Sequence, residues 1–393
     1  MQLCDYSQCT GCMSCVNVCP MNCITMHWEE NTIDYPQIVQ ADCIQCGKCT
    51  KACPVLTERY LPDRLEHADL YAAAINVPKD LKKSSSGGIA YALGLNILQQ
   101  HGVVYGAAYN KKLQVEHIEA DTVEQLSRTQ GSKYVQSYIG FSFQQVRKQL
   151  QSGRKVLFVG QPCQVAGLYQ FLAKDDPNLI TCDLLCGGST SPRIFAKYLK
   201  YIKEHYHVDL VDYNFRNKNY GYGYLCTTTT TAGKVIRLNG SAGSFITMLG
   251  AGYGRESCFS CPYTSMKRVG DFSLGDCYDS SSYLYKEGMS LVMVNSIKGK
   301  EMLASIEPVV KFDCNIPVKE YTKKVTVLHG PKYAPEDYRD FIQTASSLSW
   351  KQIHKKYIWE HMGFKNKVMS SCPMCVRVFI SKVYRRIKNH DEE

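Results

Sequence analysis

The stretch that decides the fold of the N-terminal region reads Cys9-Thr-Gly-Cys12-Met-Ser-Cys15-Val-Asn-Val-Cys19-Pro20. The same spacing returns in Cys43-Ile-Gln-Cys46-Gly-Lys-Cys49-Thr-Lys-Ala-Cys53-Pro54, so the segment is an internal repeat. Three closely spaced thiols can wrap one face of an iron–sulfur cube, while the turn at the following proline sends the fourth thiol elsewhere. The repeat therefore predicts two 4Fe-4S clusters.

The repeat also predicts which cysteines share a cluster, because in this arrangement the fourth cysteine of each run ligates the cluster of the other run. Cluster one is predicted to bind Cys9, Cys12, Cys15 and Cys53, and cluster two to bind Cys43, Cys46, Cys49 and Cys19. A zinc ribbon needs two CxxC pairs and would leave cysteines over in each run. Cys4 and Cys23 fall outside the pattern and are expected to be buried spare thiols. Residues 1–60 resemble the two-cluster 4Fe-4S ferredoxins of bacteria.

The composition favours a folded protein made in a reducing compartment. The chain has 393 residues, 20 of them cysteine, and a formal net charge of +10; 45% of residues are hydrophobic and 21% charged, which excludes a disordered chain. At roughly 100–200 residues per domain, the length predicts two or three domains. The first residues lack a signal-peptide pattern, and no apolar run is long enough to cross a membrane. We therefore expect a cytoplasmic protein whose clustered thiols bind metal.

Beyond a polar linker at 57–68, the chain alternates strand-like and helix-like segments. Strands are predicted at 70–76, 103–109, 155–159 and 179–185, and helices at 143–152 and 164–173. This alternation predicts an α/β or mixed sheet with functional residues in loops at strand ends. No GxGxxG motif follows a predicted strand, because Gly250-Ala-Gly-Tyr-Gly254 has the wrong context. A dinucleotide-binding Rossmann domain, and with it NAD, is therefore disfavoured.

Two loops have the composition of anion-binding sites. Ser84-Ser-Ser-Gly-Gly88 offers hydroxyls and unhindered backbone N–H groups at a predicted helix N-terminus, where anions are favoured. A serine N-cap with glycine spacers explains the same residues equally well. Gly131-Ser-Lys-Tyr134 adds a cation and an aromatic face that a phosphate or an isoalloxazine ring could use. By itself, this second segment is a weak signal.

Seven segments in order carry a family resemblance. They are Ser84–Gly88, Gly131–Tyr134, Gly160-Gln-Pro-Cys-Gln164, Cys186-Gly-Gly188, Phe215-Arg-Asn-Lys218 with Gly221, Cys258-x-x-Cys261, and Gly270-Asp-Phe-Ser-Leu-Gly-Asp276. Together they resemble the beta-subunit family of coenzyme F-420 hydrogenases and dehydrogenases, over roughly residues 1–310. The resemblance implies a flavoprotein with FAD and a cluster of its own, passing electrons between iron–sulfur centres and a two-electron substrate.

The resemblance also implies the domain organisation and a third cluster. We expect the ferredoxin domain at 1–60, an N-terminal-like beta-subunit domain at 68–150, and a C-terminal-like flavin and iron–sulfur domain at 151–320. Four cysteines in the resembling segments could hold a third 4Fe-4S cluster: Cys163, Cys186, Cys258 and Cys261. A CxxC zinc site or scattered buried thiols are the alternatives. The remaining cysteines of the body are expected in the core: Cys182, Cys226, Cys277 and Cys314. Of these, Cys277 could instead replace one of the four ligands.

For the flavin, the resemblance points to seven residues: Ser85, Ser86, Gly87, Gly88, Lys133, Pro162 and Arg216. The hydroxyls and N–H groups are expected to hold phosphates, and Lys133 or Arg216 to balance charge. Arg216 could equally be a structural ion-pair arginine. The chain departs from the family at Gln161 and Gly187, where threonine and histidine are usual, and at Cys277-Tyr278. These departures leave the choice of substrate open.

The C-terminal region is basic. Residues 351–390 contain ten Lys or Arg and one acid, Glu360, and we expect a basic helical tail over 330–393. Phe379, Val383 and Ile387 recur at helical spacing. This pattern is compatible with a helix packed on the body, a docking element for an acidic partner, or a peripheral membrane contact. Cys372-Pro-Met-Cys375 is a lone CxxC, more typical of a spare or redox-active pair than of a metal site. No nucleic-acid motif accompanies the charge.

These observations predict an α+β ferredoxin domain with two 4Fe-4S clusters, followed by a mixed-sheet α/β flavin-binding body and the basic tail. One hypothesis is an enzyme in which FAD converts between one-electron centres and a two-electron small molecule, such as coenzyme F-420 or a polysaccharide-pathway intermediate. The other is a non-enzymatic electron-transfer subunit that docks to a partner oxidoreductase. Both require a redox protein as donor or acceptor, and no catalytic residue is predicted.

Overall fold

The computed structural model describes residues 3–27, 33–57, 60–220, 226–238, 245–279, 287–314 and 316–361. The N-terminal module consists of two short helices and a hairpin: α1 (Ser14–Val18), β1 (Ile24–His27), β2 (Tyr35–Ile38) and α2 (Lys48–Lys51). Strands β1 and β2 are antiparallel, with Ile24 opposite Ile38.

An eight-stranded mixed sheet forms the centre of the body, in the order β13-β3-β12-β11-β7-β6-β4-β5. Its strands are β3 (Asp69–Ile75), β4 (Val103–Tyr109), β5 (Val115–Ala120), β6 (Val156–Gly160), β7 (Leu179–Leu184), β11 (Phe272–Cys277), β12 (Met289–Val294) and β13 (Val310–Phe312). The neighbouring pairs from β11 through β7 and β6 to β4 are parallel, and the outer pairs are antiparallel. This mixed α/β architecture agrees with the predicted fold class.

Helices cover the sheet and connect its strands. They are α3 (Pro78–Lys83), α4 (Ile89–Gln99), α5 (Val123–Arg128), α6 (Ser142–Gln151), α7 (Pro162–Leu172), α8 (Pro192–Tyr206), α9 (Ile246–Gly250), α10 (Ile297–Ile306), α11 (Val318–Thr322), α12 (Tyr338–Thr344) and α13 (Trp350–Ile353), which continues as a π-helix over His354–Trp359. A smaller antiparallel sheet joins β8 (Leu210–Asn214), β9 (Thr227–Thr230) and β10 (Val235–Arg237). No helix in the described ranges is long and apolar enough to cross a membrane.

Both faces of the large sheet are buried, because alternate side chains of a strand point to opposite faces. Val104 and Leu157 pack in the core beneath α4, whereas their neighbours Val103 and Val156 pack in the core beneath α6 and α7. The second of these cores also contains Met13, Val16 and Cys19 of the N-terminal module. The module is therefore docked on the sheet face that α6 and α7 cover.

The two body domains expected from the sequence share one sheet in the structure. The central sheet takes strands from both predicted body domains, 68–150 and 151–320. The described part of the predicted tail also packs in a core: Tyr198 of α8 lies against Trp350, with ring centroids 4.8 Å apart, and Phe341 and Tyr357 are buried beside them. These aromatic side chains bury the apolar face of α8. The segment up to Trp359 therefore belongs to the body.

Other sequence-based expectations concern positions outside the described residues. The helical stripe of Phe379, Val383 and Ile387 lies there, as do Cys372, Cys375 and the motif glycine Gly221. The predicted helix 164–173 in fact begins at Pro162, because proline fits the first turn of a helix, where its missing N–H is not needed.

Candidate functional site

The four cysteines predicted for cluster one lie around one small cavity in the N-terminal module. Its lining includes Cys9, Cys12, Cys15 and Cys53, together with the spare thiol Cys4. Cys53 belongs to the second run of the repeat, so the structure brings together the crossed set that the spacing predicted. A hydrogen bond with the Cys4 thiol lowers the pKa of Cys53 to about 6. Cys4 is therefore a close neighbour of the set, an arrangement that its position in the sequence did not indicate.

The cysteines predicted for cluster two line a second cavity of the module. They are Cys19, Cys43, Cys46 and Cys49, and Cys23 again adds a fifth thiol. The Sγ atoms of Cys19 and Cys23 are 3.4 Å apart. Cys46 is exposed, as are Met21 and Ile44 in the same lining. The second set is thus the one that reaches the protein surface.

The four cysteines proposed for a third cluster also converge, although three separate segments supply them. Cys163 lies in the first turn of α7, Cys186 follows β7, and Cys258 and Cys261 lie in and directly after the 3-10 turn Glu256–Ser260. All four line one cavity of about 490 Å³. The side chain of Gln161 donates a hydrogen bond to Cys186 Sγ at 3.8 Å.

The donor set of the third cavity suits a cation of high charge. Burial, together with the proximity of Cys186, Cys261 and Cys258, raises the pKa of Cys163 well above its usual value. Burial likewise raises the pKa of Cys186 to about 12. Four thiolates at this place therefore require a metal centre to hold them. Among the described residues, no three His, Cys, Asp or Glu side chains are spaced to hold a single metal ion.

The first and third sets are neighbours across α7. A Cβ atom added to Gly167, one turn beyond Cys163, would lie 2.8 Å from Cys12 Cβ and 3.0 Å from its Sγ. Glycine at this position lets the helix backbone approach Cys12 closely. The helix therefore carries a thiol of the third set at its start and contacts a thiol of the first set one turn later.

A second large cavity, of about 300 Å³, lies beyond the third cysteine set at the carboxyl ends of β6, β7 and β11. In sheets of this type, ligands bind at this edge, and the volume falls in the range of small-molecule sites. Five of the seven residues predicted for the flavin line it: Ser85, Ser86, Gly88, Lys133 and Arg216. Gln161, Cys186 and Gly187 line both this cavity and the third cysteine cavity.

The serine loop leaves a helix N-terminus open toward this cavity. The N-cap of α4 is Gly88, with φ of 78°, and no side chain caps the first N–H groups. The alternative of a serine N-cap is therefore not what the structure shows. Ser85 Oγ accepts a hydrogen bond from Ser132 N at 2.5 Å and keeps its own proton to donate, and Ser86 Oγ donates to Met289 O. The uncapped N–H groups suit an anion.

Gly87 and Pro162 are not part of this lining. The Gly87 N–H already donates to Ser290 Oγ at 2.9 Å, so it is not available to a phosphate. An added Cβ at Gly87 would lie 2.2 Å from Ala73 O, which gives the glycine a packing role. Pro162 instead lines the third cysteine cavity, at the start of α7.

Arg216 forms the ion pair that the sequence left as an alternative. Its Nη1 donates to both carboxylate oxygens of Asp276, at 2.7 and 2.8 Å, and its Nη2 donates to Tyr278 Oη at 2.8 Å. Because Asp276 neutralises the guanidinium, Arg216 presents an oriented pair to the cavity rather than a free cation. Asp276 ends the last of the seven resembling segments. Tyr278 belongs to the Cys277-Tyr278 pair, where the chain departs from the family pattern.

Lys133 is held by backbone carbonyls. Its Nζ donates to Arg128 O at 3.1 Å and Gln130 O at 2.9 Å. Burial lowers the pKa of this amine to about 7 because desolvation disfavours the charged form. Its capacity to balance a phosphate charge at neutral pH is correspondingly reduced.

Three further lining residues carry buried acceptors for which no hydrogen-bond donor is found within the described part of the chain. They are His117 Nδ1, Gln130 Oε1 and Gln161 Oε1. Unsatisfied buried acceptors are uncommon in folded proteins, and a ligand with N–H and O–H groups, such as the ring and ribityl chain of a flavin, would supply the missing donors. His117 lies in β5, outside every motif, so the sequence contained no signal for it.

Two family models match this chain. Residues 153–315 match the C terminus of the coenzyme F420 hydrogenase/dehydrogenase beta subunit, and residues 8–56 match the 4Fe-4S dicluster domain. The chain joins a beta-subunit domain of that family to a 4Fe-4S dicluster domain. This confirms the resemblance inferred from the motifs, and it makes the chain an iron–sulfur protein related to a hydrogenase/dehydrogenase beta subunit.

Relatives match parts of this iron–sulfur protein. An uncharacterized protein of Methanocaldococcus jannaschii is 25% identical over 199 residues, 44% of this chain and 55% of that protein. NADH-quinone oxidoreductase subunit I 2 of Symbiobacterium thermophilum is 36% identical over 53 residues, 12% of this chain and 22% of that protein. The chain thus spans about half of the first relative and about a fifth of the second.

A solved structure is also similar. One chain in the xenon-derivatized F420-reducing NiFe hydrogenase complex from Methanosarcina barkeri superposes with a TM-score of 0.47 and 20% sequence identity. The match covers 68% of this chain and 89% of the other.

Proposed function

We propose that this chain is an iron–sulfur flavoprotein oxidoreductase that passes electrons between 4Fe-4S clusters and FAD and on to a two-electron substrate. The contiguity of the sites is the observation that carries the proposal. The first cysteine set lies against α7 at Gly167, and α7 carries Cys163 of the third set. The lining of the third set shares Gln161, Cys186 and Gly187 with the large cavity. Clusters exchange single electrons, and a flavin interconverts one- and two-electron chemistry.

The cysteines would hold three clusters. Cluster one would be bound by Cys9, Cys12, Cys15 and Cys53, cluster two by Cys19, Cys43, Cys46 and Cys49, and the third by Cys163, Cys186, Cys258 and Cys261. The raised pKa of Cys163 and Cys186, caused first by burial, supports this assignment because these thiols need a metal centre to ionise together.

The large cavity would hold FAD. Ser85, Ser86 and the open N-terminus of α4 would orient its phosphates, and the Arg216–Asp276 pair would face the bound group with a fixed dipole. The three buried acceptors of the lining would receive donors from the ring or the sugar chain. Coenzyme F-420 and a polysaccharide-pathway intermediate are the substrate candidates.

A redox protein partner would dock at the second cysteine set. Of the twelve predicted cluster ligands, Cys46 is the exposed one, and Met21 and Ile44 in the same lining also reach the surface. Redox encounters use small, weakly bound interfaces, and an apolar patch beside a cluster suits such an encounter. We place this exchange in the cytoplasm.

A second candidate function is an electron-transfer subunit without a substrate of its own. The description of the matching family as a beta subunit favours this candidate. Anaerobic reduction of the purified chain, followed by addition of oxidised small molecules one at a time, separates the two functions. Reoxidation by proteins alone would favour the subunit.

The experiment that tests the proposed site replaces one thiol of the third set. We expect Cys163→Ser to lower the iron content from about twelve to about eight atoms per chain, since each 4Fe-4S cluster holds four, while FAD remains bound. The matched control is Cys182→Ala, because Cys182 is a buried cysteine of β7 outside all three sets. A Cys163→Ser protein with unchanged iron content and spectrum would contradict the third cluster.

A further inference from the structure

A buried arginine, Arg255, lies between the first and third cysteine sets. It is 3% exposed, and its backbone carbonyl accepts a hydrogen bond from Cys258 N at 3.0 Å. Its guanidinium reaches into the N-terminal module, where Nη1 donates to Cys9 O at 3.2 Å and Nη2 to Asp34 O at 2.8 Å. One residue therefore contacts a predicted ligand of each set.

The charge of Arg255 is bound by neutral groups only. Besides the two carbonyls, its Nε and Nη2 donate to Gln136 Oε1 at 3.0 and 2.8 Å. Within the described ranges, no carboxylate lies within ion-pair distance of this guanidinium. The buried Asp34 carboxylate interacts electrostatically with Arg255 without direct contact. A buried guanidinium that has no carboxylate in direct contact is costly, so a further anion beside it would be favourable.

The chain around Arg255 is built to bring it close to the first set. An added Cβ at Gly11 would lie 2.7 Å from Arg255 Nη2 and 2.7 Å from Gln136 Nε2, so glycine is needed there. Gln136 also donates to Thr10 O at 2.9 Å, and Ser257 Oγ donates to Cys9 O at 3.0 Å. These bonds fix the cysteine run of cluster one against the segment that contains Cys258.

We infer that Arg255 is a positioning residue and a fixed cation shared by cluster one and the third cluster. This inference rests on the proposed function, because four-thiolate clusters are the anions that would balance the guanidinium. A cluster gains negative charge when it is reduced, so a fixed positive charge nearby stabilises the reduced form and raises its reduction potential. Because one charge acts on both clusters, it raises both reduction potentials.

The test is a redox titration of the intact, metal-loaded chain, followed by electron paramagnetic resonance. Arg255→Gln removes the charge, and we expect the potentials of two of the three clusters to fall by at least the 59 mV that corresponds to a tenfold change in a one-electron equilibrium. The potential of the cluster at Cys43, Cys46 and Cys49 should stay unchanged.

Two companion variants separate charge from shape. Gln136→Glu is nearly isosteric and places a carboxylate against the guanidinium, so the same two potentials should fall. Arg255→Lys keeps the charge and should keep both potentials near the wild-type values. The control is Arg64→Gln, since Arg64 is a partly buried arginine bound to Asp271, Tyr169 Oη and Val269 O, none of which belongs to a cysteine set, and its loss should leave all potentials unchanged.

The outcomes are distinct from those of the proposed function. Unchanged potentials in both Arg255→Gln and Gln136→Glu would overturn the inference, as would equal shifts in Arg255→Gln and Arg255→Lys. The iron content of the wild-type chain is measured in the same samples. About eight iron atoms would refute the third cluster, and the shift of the Cys9 cluster alone would then decide the role of Arg255.

Discussion

At the scale of single residues, the large cavity depends on close backbone contacts. Gly87 passes between β3 and β12 with no room for a side chain, since an added Cβ would lie 2.2 Å from Ala73 O and 2.6 Å from Ser290 N. Both neighbours are backbone atoms of sheet strands and cannot move independently. The adjoining serines are therefore placed at the cavity by the sheet itself.

We predict that Gly87→Ala lowers the free energy of unfolding by about 3 kcal/mol. This value is at the upper end of the usual cost of inserting a methyl group into a packed core, because the atoms that the methyl group would meet are backbone atoms. Urea denaturation monitored by circular dichroism measures this value. Gly250→Ala is the control, because an added Cβ there meets nothing within 4 Å, and its effect should stay within about 1 kcal/mol. Equal effects of the two substitutions would contradict the packing role of Gly87.

The buried, neutral ring of His117 makes the stability of the folded chain depend on pH. Its ring stacks on Phe158 at 5.1 Å and its Nε2 hydrogen-bonds to Val159 O, and burial lowers its pKa from 6.5 to about 4. The unfolded state therefore binds a proton between these values that the folded state does not bind. Stability contributed by the neutral ring is complete above about pH 6.5 and is lost as the pH falls toward 4, by about 3 kcal/mol at most.

The measurement is the unfolding free energy of wild type and His117→Gln between about pH 7 and about pH 4. The stability of the variant should fall less steeply, because glutamine does not titrate. Acid loss of clusters affects both proteins, so the difference between the curves is the quantity compared. His67→Gln, at an exposed histidine, should follow the wild type. Parallel curves for wild type and His117→Gln would contradict a neutral buried ring.

Some residues of the candidate site could be predicted from the sequence and others could not. The difference is whether a residue belongs to a local sequence pattern. The first two cysteine sets could be predicted because their ligands recur at short, repeated spacing. The third set could be assigned only through a family resemblance, since Cys163, Cys186 and Cys258 come from distant segments. His117 and Arg255 had no signal, because their roles arise from contacts made after folding.

At the scale of elements, α7 organises the candidate redox centres. It begins with Pro162 and Cys163 directly after β6, and Gly167 faces Cys12 one turn later. The alternation of strands and helices in the body was predictable because hydrophobic period and proline position are local properties. The docking of α12 and α13 against α8 was not predictable from the sequence. Basic residues on the outer faces of these helices made the segment resemble an exposed tail and obscured the buried aromatic positions.

We predict that Gly167→Ala disturbs the first cysteine set, because the new methyl group would lie 2.8 Å from Cys12 Cβ. Cluster one should be lost or distorted, with a changed electron paramagnetic resonance signal and up to about four iron atoms fewer per chain. Ala166→Gly is the matched control, since it weakens the same helix by about 1 kcal/mol without adding an atom toward Cys12. An unchanged signal in Gly167→Ala would refute this contact.

At the scale of the whole molecule, the first cysteine set, the third cysteine set and the large cavity are neighbours. The second set reaches the surface, the first contacts α7, and the third shares Gln161, Cys186 and Gly187 with the cavity. The net charge of +10 is likewise uneven, since the basic residues of 351–390 outnumber the acidic ones by nine. Residues 1–60 are acidic by contrast, with six acidic and three basic side chains.

The cofactor content of the intact chain after anaerobic purification shows directly whether the chain binds three clusters and a flavin. Iron is determined per chain, and the flavin released on denaturation is identified by mass and absorbance. We expect about twelve iron atoms and about one FAD per chain. About eight iron atoms with no flavin, and none bound on addition of FAD, would contradict this expectation.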